Sequence, residues 1–125
     1  MLHSVLIVDD TEFMRFLMRE IMSDLAIGMI AEAGCLEEAM DLAEVLQPNL
    51  AIIDFTDPGL DAPKITRALQ SRHHDLPVVA ITHLDDDAQT RSAIASGAVA
   101  CVVKPFDSEA VRTVLQDLIE TVPMS

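Results

Sequence analysis

Five polar residues stand at the ends of four short apolar runs in this sequence. Asp9 and Asp10 follow VLIV, Asp54 follows LAII, Thr82 follows VVAI and Lys104 follows CVV. Each residue alone has an ordinary explanation, because Asp and Thr often cap helices and most lysines are solvated. Five polar residues at equivalent points of a repeated pattern are hard to assign to capping. We therefore take them as candidate site residues.

The chemistry that these residue types offer is phosphoryl transfer beside a divalent cation. Neighbouring carboxylates raise one another's pKa unless a cation lies among them, and Lys104 alone cannot neutralise three of them. Oxygen ligands completed by water suit Mg²⁺. A carboxylate that attacks a phosphoryl group needs the three equatorial oxygens neutralised and an in-line geometry held. Mg²⁺, Lys104 and the Thr82 hydroxyl with nearby backbone N–H groups can each take one of those oxygens.

The apolar runs are predicted to be strands that alternate with helices. Four of the five runs are nearly continuous in apolar residues, as buried central strands require, whereas GMIAEA alternates and carries Glu32, which favours an edge position. The predicted strands are Ser4 to Asp9, Gly28 to Ala33, Leu50 to Asp54, Pro77 to Thr82 and Val99 to Val103. Such a pattern favours a parallel sheet with its ligand crevice at the carboxyl ends of the strands. The candidate site residues fall at those ends.

Segments with helical periodicity separate the predicted strands. In the first, Phe13, Leu17, Ile21 and Leu25 recur four apart and predict one broad buried face. The predicted helices are Glu12 to Leu25, Leu36 to Leu46, Leu60 to Arg72, Asp86 to Ser96 and Ser108 to Thr121. Gly and Pro fall between the elements rather than within them. We interpret residues 1–125 as one α/β domain.

Composition excludes several classes of function. The chain has 125 residues with a formal net charge of −13, so a phosphate backbone would be repelled and direct nucleic-acid binding is not expected. The eight basic residues form no cluster that would hold an anionic membrane, and no apolar stretch is long enough to span one. The interpretation is a cytoplasmic protein.

These pieces together resemble the receiver domains of bacterial response regulators, the phosphoacceptor modules of two-component systems, and especially the single-domain chemotaxis type. The resemblance covers essentially the whole chain. It rests on VLIVDD at 5–10, TEFMRFLM at the first helix, LAIIDF at 50–55 with Pro58, VVAIT at 78–82 and SGAVACVVKPF at 96–106. It implies a flavodoxin-like doubly wound (βα)5 fold whose five-stranded parallel sheet has the strand order 2-1-3-4-5.

The resemblance also implies a role for each site residue. Asp54 would accept the phosphoryl group. Mg²⁺ would be bound by Asp54, directly by Asp10, mainly through water by Asp9, and by the backbone carbonyl of Thr56.

Two further residues would act on the phosphoryl group by the same likeness. Lys104 would pair with it, and the bond from Lys104 to Pro105 would be cis. Thr82 would move toward the phosphate and report it to a surface formed by the fourth helix, the fifth strand and the fifth helix.

Two positions depart from the family pattern. Cys101 stands three residues before Lys104, where the family usually has an aromatic switch residue, so the aromatic relay is absent. His83 follows Thr82 at a position that is usually small, where its ring either obstructs the site, alters the lifetime of the phosphate or points to solvent. The turn after Asp54 adds Asp57 and Asp61, which place more acid near the site.

The acidic triplet Asp85, Asp86 and Asp87 precedes the fourth predicted helix. It is interpreted as helix capping, with an acidic rim that selects a basic partner as the alternative.

The leading hypothesis is a module that takes phosphate from a histidine kinase or phosphotransfer protein and acts on a downstream protein, as a monomer or a phosphorylation-dependent dimer. It would catalyse only its own phosphorylation and dephosphorylation. One alternative is a receiver that acts as a phosphorylation-independent adaptor, which Cys101 and His83 leave open. Another is an aspartyl-phosphate phosphatase, disfavoured because Thr56 occupies the position where such enzymes have a general-acid Asp.

Overall fold

Five parallel strands form one sheet in the order β2-β1-β3-β4-β5. The computed structural model describes residues 3–9, 11, 15–16, 18–20, 23, 27–104 and 108–121. The strands are β1 (His3–Val8), β2 (Ile27–Ala33), β3 (Leu50–Asp54), β4 (Val78–His83) and β5 (Ala100–Lys104). The predicted strand order and the parallel pairing are therefore confirmed, and each strand boundary lies within one residue of its predicted position.

Helices connect the strands. They are α2 (Leu36–Leu46), α3 (Ala62–Arg72), α4 (Asp87–Ser96) and α5 (Ser108–Thr121). Between β1 and β2, the described residues 15–16 and 18–20 are helical, and we call this segment α1. The predicted start of α3 at Leu60 was two residues early because the side chain of Asp61 caps the helix by accepting a hydrogen bond from the Lys64 N–H at 3.3 Å.

The strand residues alternate between two buried layers, which explains the continuous apolar runs. Leu6 and Val8 of β1 pack into a core with α2, α3 and α4. Val5 and Ile7 pack into a second core on the other face, which includes Met18 of α1 and residues of α5. Because both faces of the sheet are covered, its central strands have no polar side.

The strand order places β2 and β5 at the two edges of the sheet, as the resemblance implied, although the nearly continuous apolar run of β5 alone favours a central position. Only Val102 of this strand is fully buried, and Val103 is exposed. An apolar run of five residues therefore does not distinguish a central strand from an edge strand that is covered by helices. The edge position predicted for β2 is confirmed.

No helix in the described part of the chain is both long enough and apolar enough to cross a bilayer.

Gly97 ends α4 in a conformation that favours glycine. Its φ is 116°, and a Cβ atom built on it would lie 2.0 Å from the Gln70 Oε1 atom. The Gln70 amide donates a hydrogen bond to the Gly97 carbonyl at 3.0 Å, which ties the end of α4 to α3. This junction fixes where the chain turns from α4 into β5.

We predict that Gly97→Ala lowers the free energy of unfolding by about 1–2 kcal/mol, because an L side chain is strained at positive φ. Urea denaturation followed by far-ultraviolet circular dichroism measures this change in a chain without Trp or Tyr. The control is Gly59→Ala, since Gly59 is exposed and its φ is not positive. Equal losses in the two variants would contradict the explanation.

Candidate functional site

The carboxyl ends of four strands bring together four of the five candidate site residues. Asp9 directly follows β1, Asp54 ends β3, Thr82 lies in β4 and Lys104 ends β5. The parallel register pairs Val8 with Ile53 and Asp54 with Ile81, so these strand ends lie at one level. The fifth candidate, Asp10, lies outside the described residues, as does Pro105.

Asp54 is buried, with 3% of its surface exposed. Its Oδ1 atom accepts two hydrogen bonds from Thr56, one from the backbone N–H at 2.8 Å and one from the hydroxyl at 2.6 Å. The Phe55 N–H donates to the Ile81 carbonyl at 2.8 Å, which keeps the end of β3 paired with β4. Asp54 therefore presents a fixed carboxylate whose Oδ1 is engaged by two donors.

Lys104 lies on the other side of this carboxylate. Its Nζ is 3.5 Å from Asp54 Oδ2 and 3.0 Å from Thr56 Oγ1. The backbone of Lys104 is anchored because its carbonyl accepts a hydrogen bond from the Leu84 N–H at 2.8 Å. The ammonium group thus reaches the site from the last residue of an edge strand that remains paired with β4.

Asp9 is the second buried carboxylate, with 0% of its surface exposed. Its Oδ1 accepts hydrogen bonds from the Thr11 N–H at 2.7 Å and from the Thr11 hydroxyl at 2.9 Å. Its Oδ2 is buried and has no hydrogen-bond partner within the described part of the chain. The pKa of Asp9 is raised to about 6, mainly by burial and also by the nearby Asp54 carboxylate, against the opposing effect of the Thr11 hydrogen bonds.

This crowding of carboxylates suits a divalent cation. A buried carboxylate oxygen without a partner is costly, and a cation beside it would compensate the charge. The available donors are oxygens, which Mg²⁺ prefers. Among the described residues, no three His, Cys, Asp or Glu side chains gather as a metal cluster, and Asp10 is not one of those residues. The fit to Mg²⁺ therefore rests on the unpartnered Asp9 Oδ2 and its proximity to Asp54.

Thr82 links the site to α4. It is 0% exposed, and its Oγ1 lies 3.5 Å from the Oγ1 of Thr90, a residue of α4. This distance is at the limit for a hydrogen bond between hydroxyl groups. A shift of the Thr82 hydroxyl would therefore break or strengthen a contact with the helix.

His83 is exposed and takes part in the turn after β4. Its Nδ1 accepts a hydrogen bond from the Asp85 N–H at 3.2 Å, and its backbone N–H donates to Gln89 Oε1 at 2.8 Å. Asp86 caps α4 by accepting from the Gln89 N–H at 3.0 Å. One member of the acidic triplet, Asp86, therefore caps the helix as predicted.

Cys101 is partly buried against the core that contains α2, α3 and α4, and it pairs with Ala80 of β4. Burial raises the pKa of its thiol. Its side chain is small, so it supplies no aromatic ring at the position where the resemblance implied one.

The structure assigns hydrogen-bonding roles to two threonine side chains that the sequence reasoning had not recognised. Thr11 and Thr56 each lie two residues after a buried aspartate and bind its Oδ1 through both the backbone N–H and the hydroxyl. The spacing Asp-x-Thr after a strand was the available signal, because Asp side chains often accept hydrogen bonds from the backbone two residues on. From the sequence, Thr56 was assigned a carbonyl oxygen for Mg²⁺ and a position that disfavours a phosphatase, but no role for its hydroxyl.

The sequence matches a known protein family and several of its members. Residues 5–116 match the family model for the response regulator receiver domain. The chain is 29% identical over 120 residues to the chemotaxis protein CheY of Halobacterium salinarum, covering 95% of this chain and 98% of that protein. It is 34% identical over 103 residues to the protein CcdB of Bacillus subtilis, covering 82% and 86%.

A solved structure agrees with these relatives. The receiver domain of NtrX from Brucella abortus superposes with a TM-score of 0.84 at 27% identity, covering 94% of this chain and 98% of that one.

We predict that Asp9→Asn raises the free energy of unfolding at pH 7 in EDTA by about 1–3 kcal/mol, as measured by urea denaturation. The folded state holds the Asp9 proton up to about pH 6, whereas the ordinary pKa of an exposed aspartate carboxyl is 3.8. Wild-type stability therefore falls as pH rises from 4 to 6. An amide loses no proton, so the advantage of the variant should grow across that window.

The control for this prediction is Asp41→Asn, which removes one negative charge from an exposed position on α2. A gain for Asp9→Asn that matches this control at every pH would mean that only net charge matters. A loss of stability at pH 7 would refute the crowding of the two carboxylates.

Proposed function

Because this chain belongs to the response regulator receiver domain family of two-component signalling, we propose that Asp54 accepts a phosphoryl group from a histidine kinase or phosphotransfer protein. The observation that carries the proposal is the environment of Asp54. It is a buried carboxylate at a strand end, with a lysine ammonium 3.5 Å from Oδ2 and a second buried carboxylate nearby. Charged side chains are rarely buried without a reason of this kind.

The proposed reaction uses Asp54 Oδ2 as the nucleophile, since Oδ1 already accepts two hydrogen bonds. A bond forms between Oδ2 and phosphorus while the bond from phosphorus to the donor's histidine nitrogen breaks, and the electron pair stays on that nitrogen. Lys104 is close enough to pair with an oxygen of the incoming group. Catalysis of this kind consists of positioning and charge neutralisation, so the chain acts on its own carboxylate and not as a turnover enzyme.

Mg²⁺ would be held by Asp54, by Asp10, by Asp9 through water and by the Thr56 carbonyl, as the family resemblance implies. When bound, it supplies positive charge to the phosphoryl oxygens and to the crowded carboxylates. The unpartnered Oδ2 of Asp9 supports this ligand set. The Thr11 hydrogen bonds orient Asp9 so that this oxygen is the one left for the ion or its water.

The output step of the proposal runs through Thr82. A phosphoryl group on Asp54 would attract the Thr82 hydroxyl and change its contact with Thr90, which biases the position of α4. The downstream protein would recognise the surface of α4, β5 and α5. The receiver itself would act as a monomer or as a phosphorylation-dependent dimer. Because Cys101 has no aromatic ring, the coupling between Thr82 and this surface would not require a rotamer change of an aromatic side chain.

The geometry around Thr56 favours a receiver over an aspartyl-phosphate phosphatase. A phosphatase of that type needs a general acid near the phosphorylated aspartate. Here Thr56 places a hydroxyl that donates to Asp54 and accepts from Lys104. An aliphatic hydroxyl has too high a pKa to act as a general acid, that is, to transfer its proton to a leaving group at neutral pH. Rapid turnover of phosphomonoesters is therefore not expected.

The central test is phosphorylation by a small donor. We expect acetyl phosphate with Mg²⁺ to give one labile phosphoryl adduct by intact mass, and we expect EDTA or Asp54→Asn to abolish it. Asparagine keeps the shape of the side chain but is a poor nucleophile. An absent adduct in the wild type would refute the proposal, and rapid hydrolysis of a general phosphomonoester would favour the phosphatase.

A second prediction concerns Lys104. Removing its charge with Lys104→Met should slow phosphorylation by acetyl phosphate roughly 10- to 100-fold, because a charge-assisted contact with the phosphoryl group is lost. The initial rate of adduct formation measures this effect. Lys64 is the only other lysine in the sequence and is exposed on α3, so Lys64→Met is the matched control. Equal rates for the two variants would remove Lys104 from the mechanism.

A further inference from the structure

The β2 strand has backbone groups that point away from the sheet. Among the strands that the structure describes, β2 pairs only with β1 and forms one edge of the sheet. The Asp9 N–H donates to the Ala33 carbonyl at 2.9 Å, so the backbone groups of Ala33 face β1. In a parallel strand, successive residues face alternate sides. The N–H and C=O groups of Gly28, Ile30 and Glu32 therefore face outward.

Such an edge is able to pair with another copy of itself. In an antiparallel arrangement about a two-fold axis, Ile30 of one chain would pair with Ile30 of the other, and Gly28 would pair with Glu32. Every outward N–H and C=O group of these three residues would then have a partner. Because Gly28 has no side chain, its pairing with Glu32 brings no steric or charge conflict. Gly28 and Met29 are exposed, so this part of the edge is accessible.

Arg19 of α1 blocks the centre of this arrangement. Its Nη2 donates to the Ile30 carbonyl at 3.2 Å, and its Nε forms an ion pair with the Glu32 carboxylate. The guanidinium thus occupies an acceptor that pairing would need. Because Ile30 would lie on the two-fold axis, the Arg19 side chains of both copies would meet there, and their like charges would repel each other.

We propose that Arg19 closes the β2 edge against antiparallel pairing with a second copy of this chain. Charged side chains commonly protect edge strands in this way. The Glu32 carboxylate holds the guanidinium over the strand, which gives a role to the only charged residue in the run GMIAEA. The β2 edge lies on the opposite side of the sheet from β5. The inference therefore does not depend on the proposed function.

Arg19→Met tests this inference, because it removes the charge and the donors but keeps a long, flexible side chain. Unphosphorylated protein in EDTA is studied by sedimentation equilibrium over a range of concentrations, so that phosphorylation plays no part. We expect the dimer dissociation constant of Arg19→Met to be at least roughly 10-fold lower than that of the wild type, since each dimer loses two guanidinium groups from its axis. Arg19→Ala is measured in the same way if circular dichroism shows that the methionine variant folds poorly.

Amide hydrogen exchange followed by nuclear magnetic resonance identifies the surface that pairs. In the Arg19→Met dimer, the N–H groups of Ile30 and Glu32 should exchange more slowly than in the wild-type monomer, because they gain carbonyl partners. The N–H groups of Met29 and Ala31 already face β1 and serve as the internal reference.

The matched control is Arg67→Met, which removes the charge of an exposed arginine on α3. It should associate no more tightly than the wild type. The inference would be overturned if Arg19→Met dimerised no more tightly than the wild type, or if Arg67→Met dimerised as tightly as Arg19→Met. A dimer in which Ile30 and Glu32 gain no protection would also overturn it, because a different surface would then be paired.

Discussion

The close approach of two buried carboxylates, Asp9 and Asp54, is the constraint on which the rest of the site depends. A parallel sheet aligns the carboxyl ends of its strands, and the residues at those ends must share one small space. Burial and proximity together raise the pKa of Asp9 to about 6. A fold that keeps both groups ionised at neutral pH must provide donors and cations around them.

The structure provides those compensating groups from the segments that follow each strand. Thr11 and Thr56 donate hydrogen bonds to the Oδ1 atoms of Asp9 and Asp54, and Lys104 brings a positive charge from β5. The described donors still leave Asp9 Oδ2 without a partner. In the proposed function, the same imbalance that costs stability would favour a bound cation, which would help to neutralise the charge of the phosphoryl transition state.

The parts predicted from sequence were those set by periodicity. Four nearly continuous apolar runs and one alternating run predicted the five strands, and the polar residues that end the four continuous runs located the site. The edge position of β5 followed only from the strand order that the resemblance implied, because an apolar run covered by helices is not distinguished from a central strand by its pattern. The hydroxyl roles of Thr11 and Thr56 were missed because they depend on side-chain distances, which spacing suggests but does not determine. The tie between Gln70 and Gly97 joins residues 27 positions apart and has no local signal.

Chemical location of the phosphoryl group tests the role of Asp54 most directly. The protein is treated with acetyl phosphate and Mg²⁺ and then reduced with borohydride, which converts a phosphorylated aspartate to homoserine. Peptide mass spectrometry then identifies the position. We expect homoserine at position 54 and an unmodified aspartate at position 9. Homoserine at another aspartate, or at none, would contradict the claim that Asp54 is the phosphoacceptor.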